Sequence, residues 1–215
     1  MIQALLNPTE LLDKTVAFGF FNMVHKANKP TWNNAMSNNF TALTHASLTV
    51  LGAGSYLLSK FYGDPTLSDN LYYGVKSIST GYFIYDMLYI AKNGKRSFLN
   101  AVYLYHHLAT LYIIHKNPEI YRAGDILFWG ELSNIPMYFV YYYMKNRLHS
   151  EKHNKMNLAL WKKIQAYMYG IIRWPVLSYL TYTTLKKVED PRPIYVVLPV
   201  YFMGIFWTIN LFKKL

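Results

Sequence analysis

Apolar residues along the chain gather in six runs that are separated by short basic or polar gaps. Each run holds roughly 20 residues, the length that an α-helix needs to cross a bilayer. The pattern therefore predicts an all-α fold, a polytopic membrane helical bundle. The predicted spans are Asn38–Ser59, Asn70–Ala91, Phe98–His115, Ala123–Met144, Ile164–Leu185 and Ile194–Phe212.

The N-terminal region contains a seventh, weaker candidate between Ala4 and Val24. Asp13 and Lys14 interrupt it, and its uninterrupted apolar part, Val16–Val24, is too short to span alone. It is either a poor first span or a helix in the membrane interface, so the prediction is six or seven transmembrane helices. We expect residues 1–37 to form an N-terminal helix and loop, and residues 38–215 to form the main domain.

Composition supports the membrane prediction. Hydrophobic residues make up 53% of the chain and charged residues only 15%, against about 25% charged in soluble proteins. The mean hydropathy of +0.04 is low for a membrane protein because hydropathy scales score the 21 tyrosines as polar, although their rings suit interfaces and helix seams. The absence of cysteine excludes disulfides, thiolate catalysis and cysteine-ligated zinc or iron–sulfur sites.

The net charge of +11 would suggest a nucleic-acid partner in a soluble protein. Here the basic residues lie in the gaps between apolar runs, thirteen on one side and six on the other. The richer side should be cytosolic, which places the C-terminus there, and we expect no nucleic-acid partner. The longest hydrophilic stretch, Lys145–Lys163, is predicted to be a basic cytosolic loop.

Several titratable residues fall inside the predicted spans, where charged groups cost about 2.5–3.5 kcal/mol each and are usually functional. Four of them lie about 8–14 Å in from the predicted cytosolic ends, and two lie near mid-helix. Several helices therefore bring polar groups to a similar depth. Arg173 is the costliest, and Glu131 or Asp86 is its expected counter-ion. The six residues are His45, Asp86, His106, His107, Glu131 and Arg173.

The adjacent pair His106–His107 differs from a single intramembrane histidine, which usually makes one interhelical hydrogen bond. Its two rings point about 100° apart, so both need partners inside the bundle. Structural and functional roles are equally supported for the pair, whereas Glu131 with Arg173 is the pattern of a structural ion pair. The seven histidines are scattered rather than grouped at helical spacing, so we expect no metal site.

Several segments together resemble a TLC domain, the six-helix core shared by ceramide synthases, translocon-associated membrane proteins and related lipid-homeostasis proteins. The resemblance covers roughly Asn38–Leu215. It rests on THASLTVLG (Thr44–Gly52), GYFIYDMLY (Gly81–Tyr89), YHHLATL (Tyr105–Leu111), GELSN (Gly130–Asn134) and WTINLFKK (Trp207–Lys214), in this order.

In ceramide synthases, paired histidines and acids on the following helix are required to move an acyl chain from coenzyme A onto a sphingoid amine. The resemblance places the pair at His106 and His107. The family's motif His-Asp-x-Ser-Asp corresponds to Gly130–Asn134, which keeps an acid at Glu131 and the serine at Ser133. The motif's histidine and second acid are replaced by Gly130 and Asn134, as in the non-synthase branch of the family.

The resemblance implies a multi-pass protein of the endoplasmic reticulum or another internal membrane. It implies a role in membrane lipid metabolism or homeostasis, sphingolipids included, through a polar intramembrane cavity. One alternative is a lipid N-acyltransferase with acyl-CoA as co-substrate, in which His106 or His107 is the base or acyl carrier and Asp86 or Glu131 orients the ring. Another is a non-catalytic protein that binds lipid or serves the translocon. No other cofactor is implied, and the expected partners are membrane lipids. The expected substrate-binding residues are His45, Thr110, Ser133, Asn134 and Arg173.

Overall fold

A computed structural model of the protein describes residues 8–94, 97–116, 122–145, 151–190 and 192–213. Within these ranges every regular element is helical, which confirms the all-α prediction. The helices are α1 (Pro8–Asn28), α2 (Asn34–Phe61), α3 (Pro65–Asn93), α4 (Phe98–Lys116), α5 (Ala123–Lys145), α6 (Glu151–Ile171), α7 (Leu177–Leu185) and α8 (Arg192–Phe212). A π-helical turn, Ile172–Val176, joins α6 and α7 without a break, and the three elements together are called the α6 rod.

The six predicted apolar runs all fall on helices, with Ile164–Leu185 distributed over α6, the π-helical turn and α7. Some helices begin earlier than the runs do, because capping residues and polar first turns add to the apolar segment. In the part of the chain that the structure describes, none of the helices is long and apolar enough to cross a membrane.

Three consecutive residues end α2 and start α3. Gly63 has a φ of 75°, a left-handed conformation that glycine adopts without steric cost. The Asp64 side chain accepts a hydrogen bond from the Leu67 amide at 2.9 Å, and Pro65 occupies the first helical position, where a missing N–H is harmless. This short connection makes α2 and α3 antiparallel neighbours, and α2 also packs closely against α5.

Helix α1 packs against α3 and α2. Phe21 is fully buried, with its ring centroid 5.2 Å from that of Tyr82. The two backbones approach closely at Gly81, where an added Cβ would lie 2.6 Å from Ala17 Cβ and 2.7 Å from the Phe18 amide nitrogen. From residue 8 onward the weak candidate Ala4–Val24 thus belongs to a helix docked on its neighbours, and its first four residues, 4–7, lie outside the described ranges.

The predicted basic loop Lys145–Lys163 is wrong over Glu151–Lys163, which is helical. Glu151 and Lys155 form an ion pair one helical turn apart, at 2.6 Å, and such pairs favour helix. The Trp161 ring stacks on Phe139 of α5 with centroids 4.2 Å apart. This contact with a neighbouring helix holds α6 against α5, while residues 146–150 lie outside the described ranges.

The interior contains an unusual number of polar side chains. Thr41, His45, Thr49, Ser79 and Ser133 are completely buried, although such residues are mostly exposed in water-soluble proteins. Many large apolar side chains instead face outward. The interior polar groups of α2, α3 and α5 surround the site described next.

Candidate functional site

A cavity of about 600 Å³ opens among helices α2 to α6 and α8. At one end, the cavity is lined by Ile90, Asn100 and Tyr141. These residues lie near helix ends that are predicted to be cytosolic. The cavity continues inward to Glu131 and Arg173, which lie near mid-helix. The larger cavity therefore extends from one end of the bundle to its predicted midplane.

A smaller cavity of about 120 Å³ lies beyond those residues, lined mainly by apolar side chains. It is bounded by residues of α3, α4, α5, the π-helical turn, α7 and α8. The two cavities meet, because both are lined by Phe83, His106, Glu131, Asn134 and Arg173. A more polar space therefore meets an apolar one beside three titratable side chains, those of His106, Glu131 and Arg173.

His107 and Asp86 form a hydrogen-bonded pair between α4 and α3. The His107 Nε2 atom lies 2.8 Å from Asp86 Oδ2, and an ionised carboxylate only accepts, so Nε2 carries the proton. The amide of Asn38 donates to the other oxygen, Oδ1, at 3.2 Å. The His107 ring also stacks on Phe83, with centroids 5.0 Å apart. The His107 Nδ1 atom is buried and has no hydrogen-bond partner among the described residues. The ring is therefore held in its orientation by Asp86 and by the contact with Phe83.

His106 has a different setting although it is adjacent in sequence. It is half-buried and lines both cavities, and its ring centroid lies 5.5 Å from that of His107. The Thr110 hydroxyl donates to the His106 carbonyl at 2.9 Å, and Thr110 lines the smaller cavity. His106 is thus the histidine that a bound molecule would meet, while His107 is fixed by a carboxylate.

Arg173, in the π-helical turn, is held by neutral oxygens. Its Nε donates to Ser133 Oγ at 2.8 Å. Its Nη2 donates to Asn134 Oδ1 at 2.8 Å and to the Gly130 carbonyl at 3.2 Å. Asn134 in turn donates from Nδ2 to Glu131 Oε2 at 3.2 Å. A single carboxamide therefore links the guanidinium to the carboxylate.

The expected direct ion pair of Arg173 with Glu131 or Asp86 is not formed. Among the described residues, no nitrogen–oxygen distance of 4.0 Å or less joins Arg173 to either acid. Asn134 occupies the space between Arg173 and Glu131, and Asp86 is engaged by His107. The π-helical turn, which accommodates the missing N–H of Pro175, carries Arg173 beside the Gly130–Asn134 segment.

His45 and Ser133 are completely buried and are not among the described residues that line either cavity. His45 stacks on Tyr82 with centroids 3.9 Å apart. Its Nε2 lies 3.0 Å from Thr49 Oγ1, and its Nδ1 lies 3.9 Å from Glu131 Oε1. His45 thus lies beside Glu131, and Ser133 accepts a hydrogen bond from Arg173. Glu131 and Arg173 both line the cavity.

Sequence reasoning missed most of the cavity lining, which consists of tyrosine and carboxamide side chains. Their spacing could have revealed them: polar residues three, four or seven positions apart lie on one face of a helix, and several helices carry such a series. On α3, α5 and the α6 rod these series are Tyr82, Asp86 and Tyr89; Asn134, Tyr138 and Tyr141; Gln165, Tyr169 and Arg173.

No protein family model, curated protein or solved structure matches this chain. Across the described ranges, no three His, Cys, Asp or Glu side chains are grouped so that they could hold a metal ion. The chemistry available is a carboxylate-oriented imidazole, a second imidazole facing the cavity, and an amide-linked guanidinium and carboxylate.

Proposed function

We propose that the protein is a multi-pass membrane protein of the TLC type that holds a lipid in its two joined cavities and acts in membrane lipid metabolism or homeostasis. The observation that carries the proposal is the junction of the polar cavity with the apolar one at His106, Glu131 and Arg173. A lipid has the same two parts, a polar head group and an apolar chain, and ligand sites commonly combine apolar walls with a few placed polar groups.

The distribution of side chains supports a membrane location. Large apolar residues on different helices face outward, such as Leu51, Leu88, Leu108, Trp174 and Phe206. An extensive apolar surface is a liability in water, whereas lipid solvates it. The buried polar groups face the interior, as intramembrane polar residues do. We place the protein in an internal membrane, the endoplasmic reticulum, with a cytosolic C-terminus, as the resemblance implies.

The resemblance to a TLC domain over residues 38–215 gains support from where its motif residues lie. Asp86, His107 and Glu131 come from three separate helices and line one cavity. Their depths along the sequence indicated a common layer, and the cavity places them around a shared space. These residues therefore form the centre of the proposed lipid site.

Blocking the junction should prevent lipid binding. Gly130 lines the smaller cavity, and no atom lies within 4 Å of a Cβ added there, so a phenylalanine would fill the empty space. We expect Gly130→Phe to lower the amount of lipid that copurifies with the protein at least about ten-fold, or about 1.4 kcal/mol. Lipid is counted by mass spectrometry after purification in detergent.

Gly130→Ala is the matched control, because a methyl group fits the same space and keeps the carbonyl that binds Arg173. It should retain the wild-type amount of lipid. The proposal is wrong if wild-type protein carries no lipid above that of an unrelated membrane protein, or if Gly130→Phe carries as much as Gly130→Ala.

A second candidate, a lipid N-acyltransferase, is favoured by the 2.8 Å contact between His107 and Asp86. An amine of the acceptor lipid would attack the thioester carbonyl of acyl-CoA, forming a C–N bond and breaking the C–S bond. His106 would take the proton of the amine and return it to the departing thiolate. His107, oriented by Asp86, would position the reacting groups beside it.

The acyltransferase candidate is tested in a cell that lacks its own ceramide synthases. We expect wild-type protein to restore N-acylated lipid, and His106→Ala to lower that product at least about ten-fold, since general bases typically contribute 10²–10⁴-fold. His107→Ala should also lose activity. Lipidomics measures the products, and immunoblotting shows that the variants accumulate equally. If wild-type protein adds no product, the catalytic candidate fails while lipid binding stands on its own test.

A further inference from the structure

The charged side chains of the larger cavity mostly have hydrogen-bond partners within the protein. Both oxygens of Asp86 accept hydrogen bonds, from His107 and Asn38. Arg173 uses three of its five N–H donors on Ser133, Asn134 and Gly130. Little charge therefore remains available to a bound molecule.

Four neutral polar side chains of the lining, in contrast, make no hydrogen bond with any described residue. The Gln165 side chain is 93% buried and lines the larger cavity. The carboxamide of Asn210, which is half-buried, and the hydroxyls of Tyr82 and Tyr138 also line it without a partner among the described residues. Their donors and acceptors are open to the cavity, so a ligand that hydrogen-bonds to uncharged groups would find partners there.

The lining is poorly suited to a phosphate. Among the described residues that line the larger cavity there is no lysine, and Arg173 is the one permanent cation. Glu131 lines the cavity, and its Oε1, which lies 3.9 Å from the buried His45 Nδ1, has no hydrogen bond within the described residues. An open carboxylate oxygen repels a phosphate but accepts a hydrogen bond from a hydroxyl or an amide N–H.

We propose that the larger cavity selects lipids with an uncharged head group that carries hydroxyl or amide hydrogens, and excludes phosphorylated ones. The inference rests on the proposed lipid site and names the class of head group that it takes. Gln165, Asn210, Tyr82 and Tyr138 supply the hydrogen bonds, and Glu131 accepts one from the ligand. In the acyltransferase candidate, the phosphates of acyl-CoA then stay outside this cavity.

The experiment compares four amphiphiles that share one oleoyl chain and differ in head group. They are 1-oleoylglycerol, N-oleoylethanolamine, 1-oleoylglycerol 3-phosphate and 1-oleoylglycerophosphocholine, titrated into delipidated full-length protein and followed by native mass spectrometry. We expect the two uncharged lipids to bind at least about ten-fold more tightly, the combined effect of two or more neutral hydrogen bonds.

Gln165→Leu should weaken binding of the uncharged lipids about three- to ten-fold, because it removes both a donor and an acceptor. Tyr167→Leu is the matched control, since Tyr167 lies on the same helix and its side chain is exposed. That variant should bind as wild type does. Unchanged binding in Gln165→Leu would overturn its assignment as a head-group contact.

The outcomes separate this inference from the proposed function. Equal or tighter binding of either phosphorylated lipid overturns the head-group selectivity and leaves lipid binding intact. Absence of saturable binding by all four lipids overturns both. Tight binding of the uncharged lipids that Gly130→Phe does not weaken places their site outside the joined cavities and also overturns the inference.

Discussion

Replacement of Arg173 by methionine is expected to lower the free energy of unfolding by about 3–5 kcal/mol, because it breaks a buried charged network. The variant removes the donors to Ser133 Oγ, Asn134 Oδ1 and the Gly130 carbonyl. The last two oxygens keep one donor each, the hydroxyls of Tyr169 and Ser133. The variant also removes the one cation that Asn134 links to Glu131. Methionine is shorter but occupies a similar volume, so most of the loss should come from polar groups rather than from a cavity.

Unfolding by denaturant in detergent micelles measures this effect. Arg173→Lys keeps the charge but not the fork of three donors, so it should lose less than Arg173→Met. Combining Glu131→Gln with Arg173→Met should cost less than the sum of the two single changes, because each leaves the other charge uncompensated. Additive costs would show that Asn134 does not couple the two charges.

A leucine at Gly81 is expected to destabilise the packing of α1 against α3 by about 3 kcal/mol, at the upper end of the usual cost of overpacking. Its Cβ would lie 2.6 Å from Ala17 Cβ and 2.7 Å from the Phe18 amide nitrogen. The obstacle is the backbone of α1 and not a flexible side chain, so the whole helix must move. Unfolding by denaturant gives the loss, and hydrogen exchange should show faster opening of α1.

Gly74→Leu is the control, because Gly74 lies on the same helix and no atom falls within 4 Å of its added Cβ. Both changes remove a helical glycine, which by itself favours the helix by up to about 1 kcal/mol. The difference between the two variants therefore isolates the contact with α1. Equal stability of the two variants would contradict the close approach at Gly81.

The helices were predictable from sequence because long apolar runs bounded by polar gaps indicate both their number and approximate limits. The segment Glu151–Lys163 was missed because hydropathy reports suitability for lipid and not helix formation. Its i,i+4 pair, Glu151 with Lys155, was a local signal for helix. The stacking of Trp161 on Phe139 is a contact between two helices. It could not be predicted from the residue pattern of either segment alone.

The candidate site was predictable in depth but not in its pairings. Counting residues from helix ends placed Asp86 and His107 in one layer, and the structure joins them at 2.8 Å. The partners of Arg173 depend on how the π-helical turn rotates its side chain about the helix axis. The depth of a residue along its helix gives no information on that rotation. His45 likewise lies at the expected depth but packs behind the cavity wall.

The carboxamide of Asn134 has a consequence for what can move through the site. It accepts from Arg173 at one end and donates to Glu131 at the other, so its dipole lies along the line between the two charges. An amide side chain neither gains nor loses a proton over the ordinary pH range. Because an arginine keeps its protons as well, Asn134 couples the guanidinium and the carboxylate electrostatically and passes no proton between them.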